Sequence, residues 1–330
     1  MIFKEFIGID LAKESFDVWI YSNEKHKKFS NDQEGFENMI QWITKKKENL
    51  QSYLLCMEHT GMYGYPLMFF LFDAKISFTM ISGLHLKRSL GIQRGKNDKV
   101  DASRIAEYAY LHRDKIKPFF LASLKLIRLK ALLSCRVRLV KYRAAEKSIV
   151  NQNKRFLPGL KHDDILIKTS NKVIKECSNH IDRIEEEMMK LIDSEEILAD
   201  QYKLVKSVKG VGMVATLMII CHTNGFASFP NWRKFASYSG TAPFEHSSGT
   251  SIRGRTKTSH LANKAMKAIL TSAAIVAIRH DPEIKKYYQC KIKDGKNKML
   301  VINNVRNKLI SRIFAVVKRG SPYVSLANWT

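Results

Sequence analysis

Negative charge is scarce in this chain. Its 330 residues hold 31 Asp and Glu against 56 Lys and Arg, a formal net charge of +25. Such a surface excludes cationic partners as its main targets and points to phosphate backbones, where each neutralised phosphate releases condensed counterions. Cysteine is scarce too. Cys56, Cys135, Cys177, Cys221 and Cys290 never stand two or three residues apart, which excludes a disulfide framework and a zinc knuckle and leaves reduced thiols. The longest apolar run, Val211 to Cys221, is about half of the roughly 18 to 20 residues that a bilayer span requires. With no apolar leader and small-residue cleavage site at the start, a cytoplasmic protein that does not enter membranes is expected. Also missing are a Walker-type phosphate loop, low-complexity tracts and any long internal repeat. What is present, 45% apolar and 10% aromatic residues, is enough to build cores for two or three domains and excludes a disordered basic tail.

The charge is uneven. Residues 1–60 carry 8 basic and 10 acidic side chains, residues 111–160 carry 13 and 2, residues 161–200 carry 6 and 11, and residues 201–330 carry 22 and 4. The opening segment therefore concentrates carboxylates inside a basic protein. Apolar alternation predicts strands at 5–10, 16–21 and 27–30, then a helix capped by Asp32, a strand at 53–57, a helix at 63–72 and a strand at 76–81, an α/β order. A helix starting at Asn97 or Asp98 runs to about Tyr110, and a long basic amphipathic helix covers 121–150, with a break at Pro158-Gly159. From Ile174 the apolar positions Cys177, Ile181, Ile184, Met188, Leu191 and Leu198 follow a three-and-four alternation that only Glu195 interrupts; this predicts a coiled coil within or between chains, favouring an oligomer, a dimer or tetramer, with an amphipathic helix packed on its own domain as the alternative.

Four acidic positions stand out. Asp10 ends the first strand in Gly-Ile-Asp-Leu-Ala-Lys, Glu58 ends another in Met-Glu-His-Thr-Gly-Met-Tyr-Gly, and Asp98 and Asp101 lie one helical turn apart in Lys-Asn-Asp-Lys-Val-Asp-Ala. Carboxylates converging in this way repel one another unless they hold cations, and hard oxygen ligands around one or two Mg²⁺ ions are the usual way to polarise a phosphodiester. Taken singly, each residue is as well read as a turn former or helix cap. Together these strings resemble the signature of the insertion sequence 110 family of bacterial transposases, the DEDD transposases related to Piv-type DNA invertases. The resemblance implies an RNase H-like, RuvC-like N-terminal domain in which Asp10, Glu58, Asp98 and Asp101 are the catalytic, Mg²⁺-binding tetrad. Asn97 and Lys99 stand where the family usually has Thr or Ser and Arg.

Further on, Ser-Val-Lys-Gly-Val-Gly-Met-Val (207–214) reads as the turn of a helix-hairpin-helix, with Lys206, Lys209, Gly210 and Gly212 placed to meet a nucleic-acid phosphate, or as a plain turn between core helices. Arg233 and Lys234 lie in an aromatic segment that is mostly core. The stretch Thr241 to His260 is rich in Ser, Thr and Gly, and Arg253, Arg255 and Lys257 could steady charge on phosphate. It reads as a mobile phosphate-binding loop ahead of a helix from about Leu261. The family resemblance implies more: its Ala-Pro, Ser-Gly and basic stretch place a catalytic serine at Ser248, with Ser247 as the rival. Ala262-Asn263 replaces the Gly-Asn of many relatives.

The expected architecture is α/β plus all-α in three parts: a RuvC-like domain over residues 1–150, a linker and coiled coil over 151–200, and a helical transposase domain over 201–330. The resemblance implies a recombinase that cuts and rejoins donor and target DNA through a 5′-phosphoserine, guided by a bridge RNA. A metal-dependent RuvC-like junction nuclease without a covalent intermediate, and a non-catalytic nucleic-acid-binding scaffold, are the alternatives.

Overall fold

The computed structural model describes residues 3–44, 50–59, 61–89, 91, 97–119, 121, 123–161, 164–248 and 252–324. The chain divides into two compact units, Met1–Leu121 and Ala122–Thr330.

The first unit is α/β. Strands β1 (Glu5–Leu11), β2 (Ser15–Ile20) and β3 (Lys25–Ser30) form an antiparallel meander, and β4 (Tyr53–Glu58) and β5 (Phe78–Ile81) join β1 in parallel, giving the order β3-β2-β1-β4-β5. The interior strand β4, which pairs in parallel on both edges, is buried from Tyr53 to Met57, as a parallel strand covered on both faces must be. Helices α1 (Gln33–Ile43) and α2 (Tyr65–Asp73) supply one covering layer: Phe36 packs on Phe16 and on Phe70. Asp32 caps α1 by accepting the Gly35 N–H at 2.8 Å. A short helix α3 (Gly83–Ser89) and then α4 (Asp98–Leu111) follow, and Phe6, Leu54, Cys56, Ile105 and Ala109 form one apolar cluster between β1, β4 and α4. Gly8 permits the close approach of α4, because a Cβ there would collide with the Ala102 carbonyl and the Ala106 amide.

The second unit is helical apart from one hairpin. Helix α5 (Leu124–Phe156) lies antiparallel to α6 (Ile165–Asp193), with Arg128 on Glu187 at 2.8 Å and Arg136 on Glu185 at 2.6 Å. Two of the acids in residues 161–200, Glu185 and Glu187, are thus the counter-charge of a basic helix in the same chain. The predicted seam is real at Cys177, Ile181 and Met188, all buried, but it does not continue as one helix to Leu198. The Ser194 N–H closes α6 on the Lys190 carbonyl, and Leu198 belongs to α7 (Glu196–Ser207). The boundary expected at residue 150 falls inside α5, whose buried Leu126, Leu129 and Leu133 join the core of the second unit. That core is centred on α8 (Met213–Thr223), which is apolar all round and enclosed. Around it pack α9 (Trp232–Tyr238), α10 (Lys264–His280), α11 (Pro282–Lys293) and α12 (Lys298–Arg319). Between α9 and α10 the expected loop is an antiparallel hairpin, β6 (Pro243–Ser248) with β7 (Ile252–Thr258). Among the described residues, no helix is long and apolar enough to cross a membrane.

Candidate active site: a carboxylate row and a serine hairpin

The strand register puts the predicted acids on one face. Gly8 pairs with Cys56 and Ile9 with Met57 in parallel, so Asp10 and Glu58 occupy corresponding strand ends. Their side chains lie on the face of Phe6, Leu54 and Cys56, the face that α4 covers. Ala102 and Ala106 meet Gly8, while Tyr110 meets Phe6 with ring centroids 5.8 Å apart. Helix α4 therefore runs opposite to β1, and its first turn, with Asp98 and Asp101, arrives beside Asp10. Asn97 caps this helix by accepting the Val100 N–H at 2.8 Å, the task a Thr or Ser would perform.

Asp10 is surrounded by like charge. The Asp10 carboxyl is pushed up to about 6, first by burial and then by the like charges of Asp101, Asp98, Glu58 and Asp17. Asp101 accepts a hydrogen bond from Arg104 at 3.0 Å, Asp98 has Lys28 at 3.7 Å, and Glu58 lies against Gly83. Among the described residues, no three acidic, His or Cys side chains stand together so as to grip a metal as placed. The donor set still suits a hard divalent cation: oxygen ligands only, one of them half-buried and held near neutrality by its neighbours.

The hairpin places Ser247 opposite Arg253 and Ser248 opposite Ile252, next to its tip. The side chains of Ser247, Ser248, Arg253 and Arg255 lie outside the described residues, while Lys257 is exposed. Both legs are anchored. At the base of β6 the Thr241 carbonyl accepts from Asn303 at 2.8 Å and Asn307 at 3.0 Å, and beyond β7 Lys267 donates to Thr258 at 3.1 Å. Asn263 caps α10 through the Met266 N–H and also donates to the Tyr238 hydroxyl at 2.8 Å, so the departure at Ala262-Asn263 keeps a firm helix start at Lys264.

In the turn between α7 and α8, Gly210 has φ +94°, and a Cβ there would fall 2.6 Å from the Ala277 Cβ. One side of this turn is thus closed by α10, whereas Gly212 faces open space. Lys206 lies over the Tyr202 ring at 5.5 Å, Lys209 is half-buried, and Arg233 stacks on Trp232 at 5.3 Å beside exposed Lys234. Sequence reasoning missed Asp17, Lys28 and His26. Asp17 pairs directly with Asp10 on one side and with Lys28 on the other, and His26 binds it at 2.6 Å. An acid inside a strand whose neighbours are Phe and Val was the available signal.

Comparison with known proteins matches both units. A family model described as a transposase of DEDD type matches residues 7–158, and one described as Transposase IS116/IS110/IS902 family matches residues 202–289. Similar proteins include the Pilin gene-inverting proteins of Moraxella bovis and Moraxella lacunata, each 26% identical over 332 residues, 97% of this chain and 98% of theirs. The Insertion element IS110 uncharacterized 43.6 kDa protein of Streptomyces coelicolor (strain ATCC BAA-471 / A3(2) / M145) is 30% identical over 122 residues, 37% of this chain and 30% of its own. An α/β unit with a carboxylate cluster, followed by a basic helical unit, each matched by transposase models, defines a DNA recombinase of the transposase class. The chain belongs to the insertion sequence 110 family of transposases.

Proposed function

We propose that this transposase cuts and rejoins donor and target DNA through a covalent serine intermediate, with Asp10, Glu58, Asp98 and Asp101 as the Mg²⁺-binding tetrad and Ser248 as nucleophile. The observation that carries this reading is the Asp10 carboxyl raised to about 6 amid three further carboxylates of the expected tetrad. The sheet order β3-β2-β1-β4-β5, with an antiparallel meander on a parallel pair, supports an RNase H-like domain. The long α5 and α6 pair supports a coiled-coil connector between the DEDD part and the serine part.

The Ser248 oxygen attacks the scissile phosphorus and displaces the 3′ oxygen, which leaves with a proton as a 3′ hydroxyl. The new bond is a 5′-phosphoserine, and attack by another 3′ hydroxyl returns the serine, so the bond energy is conserved and no nucleotide cofactor is consumed. Mg²⁺, when bound, supplies positive charge to the phosphate. The raised pKa of Asp10 belongs to the metal-free cluster, and a bound cation would hold its carboxylate ionised as a ligand. Lys257, Arg253 and Arg255 on β7, and Lys206, Lys209, Gly210, Gly212, Arg233 and Lys234, hold nucleic-acid backbones. Inversion by the Pilin gene-inverting proteins supports site-specific rejoining as the outcome. In this reading a bridge RNA pairs with donor and target DNA and the protein holds backbones, in a homo-oligomer of two or four chains.

The test is direct. Incubated with donor DNA, guide RNA and Mg²⁺ and then denatured, the wild-type chain carries covalently bound DNA. Ser248→Ala gives no adduct and keeps its DNA affinity, while Ser247→Ala retains the adduct. Cut DNA without any adduct identifies a junction nuclease, and neither product identifies a scaffold.

A further inference from the structure

The carboxylates form part of a row that crosses the sheet. Lys28 on β3 pairs with Asp17 on β2, Asp17 pairs with Asp10 on β1, and Glu58 ends the neighbouring β4 one residue past the Ile9 and Met57 pair. Two acids directly opposite each other on adjacent strands are unfavourable unless a cation offsets them. The offset comes from β3. His26 takes one oxygen of Asp17 at 2.6 Å, and Lys28 sits 3.5 Å from the other. The same Lys28 ammonium is 3.7 Å from the Asp98 carboxylate at the start of α4. One flexible monovalent cation therefore spans a carboxylate outside the predicted tetrad and one inside it.

We propose that Lys28 is a tethered counter-ion of the carboxylate cluster, one that holds Asp98 until a divalent cation displaces it. Both contacts are long for an ion pair, and the Lys28 side chain is 53% exposed, so the hold is weak and its release costs little. Asp17, buried at 5% exposure and gripped by His26, is the fixed end of the tether. It keeps Lys28 close by when Asp98 turns toward the ion. The four-carbon stem allows this movement without any shift of the strand. Lys28 is thus a positioning residue that sets the threshold of cation concentration at which the site fills.

This inference rests on the tetrad reading above, and its test separates the two. Mn²⁺ is titrated into the full-length chain without DNA, and free Mn²⁺ is followed by electron paramagnetic resonance. Asp10→Asn should abolish binding. Lys28→Met, which removes the competing charge, should bind Mn²⁺ about threefold tighter than wild type, and Lys28→Arg should match wild type. Circular dichroism checks that each variant is folded. If Asp10→Asn abolishes binding while Lys28→Met binds equally or more weakly, the counter-ion role is wrong and the tetrad stands. If Asp10→Asn binds Mn²⁺ as wild type does, the tetrad reading falls and this inference falls with it.

Discussion

Two carboxylates, one in each unit, define opposite ways of burying an acid. Asp281 in the helical unit is fully buried, yet it is compensated on every side: it accepts the Glu283 N–H at 3.0 Å and the Ile284 N–H at 3.2 Å at the start of α11, and it pairs with Arg312 at 2.9 Å. Asp10 in the α/β unit is only half-buried, and its charged surroundings are mainly other acids. Burial therefore does not mark a site. The lack of compensation does, because a protein retains an unpaid like-charge cluster where some other ligand offsets it during function. Asp281 holds the fold together, and Asp10 is held in place at the fold's expense.

The contrast can be broken at several points. The largest stability effect should come from Arg312→Met, which strands the Asp281 charge in the interior and should cost about 3 to 5 kcal/mol in urea denaturation; a loss under about 1 kcal/mol would mean that the helix amides suffice alone. Next is Gly8→Ala, whose methyl would strike the α4 backbone. A cost of about 2 to 3 kcal/mol is expected, together with loss of strand cleavage as Asp98 and Asp101 move from Asp10. Asp10→Asn reverses the sign. Its folded pKa of about 6 lies above the ordinary 3.8, so the ionised carboxylate weakens the fold above that pH and not below the ordinary value. Thermal melts should show the Asn variant more stable by about 1 kcal/mol at pH 7.5, after allowance for solvent screening, with no advantage at about pH 3.5. Its cleavage rate should nonetheless fall by about 100-fold or more. The smallest effect is Asn97→Thr, one good cap for another, which should stay within about 0.5 kcal/mol and keep full activity.

These two regions also differ in how far the sequence disclosed them. The placement of Asp10 and Glu58 near strand ends and of Asp98 at a helix start was legible from apolar alternation, whereas their grouping with Asp101 came from the family resemblance. Asp17 was not legible, since an isolated acid between Phe16 and Val18 carries no mark of the strand that will lie beside it. In the helical unit the stretch from Thr241 to His260 hid a hairpin. Pro243, Phe244 and Glu245 are all exposed, so main-chain pairing and its anchors at Thr241 and Thr258 hold it rather than the alternating burial that announces a strand. The heptads overshot for another reason: Ile192 and Leu198, on the two sides of the Ser194 cap, pack on one core, so an apolar pattern carries on across the corner. Arg306, 4% exposed and held by Asn303 at 3.1 Å, is a cation that composition assigns to the surface and only tertiary packing encloses.

The hairpin register has a last consequence for the serines. Backbone pairing sets Ser247 against Arg253 and Ser248 against Ile252, and the irregularity between Phe244 and His246 lies just upstream of both pairs. For the chemistry proposed at Ser248, deleting one residue at that irregularity should slip both pairings and cost the covalent adduct even though neither serine is changed.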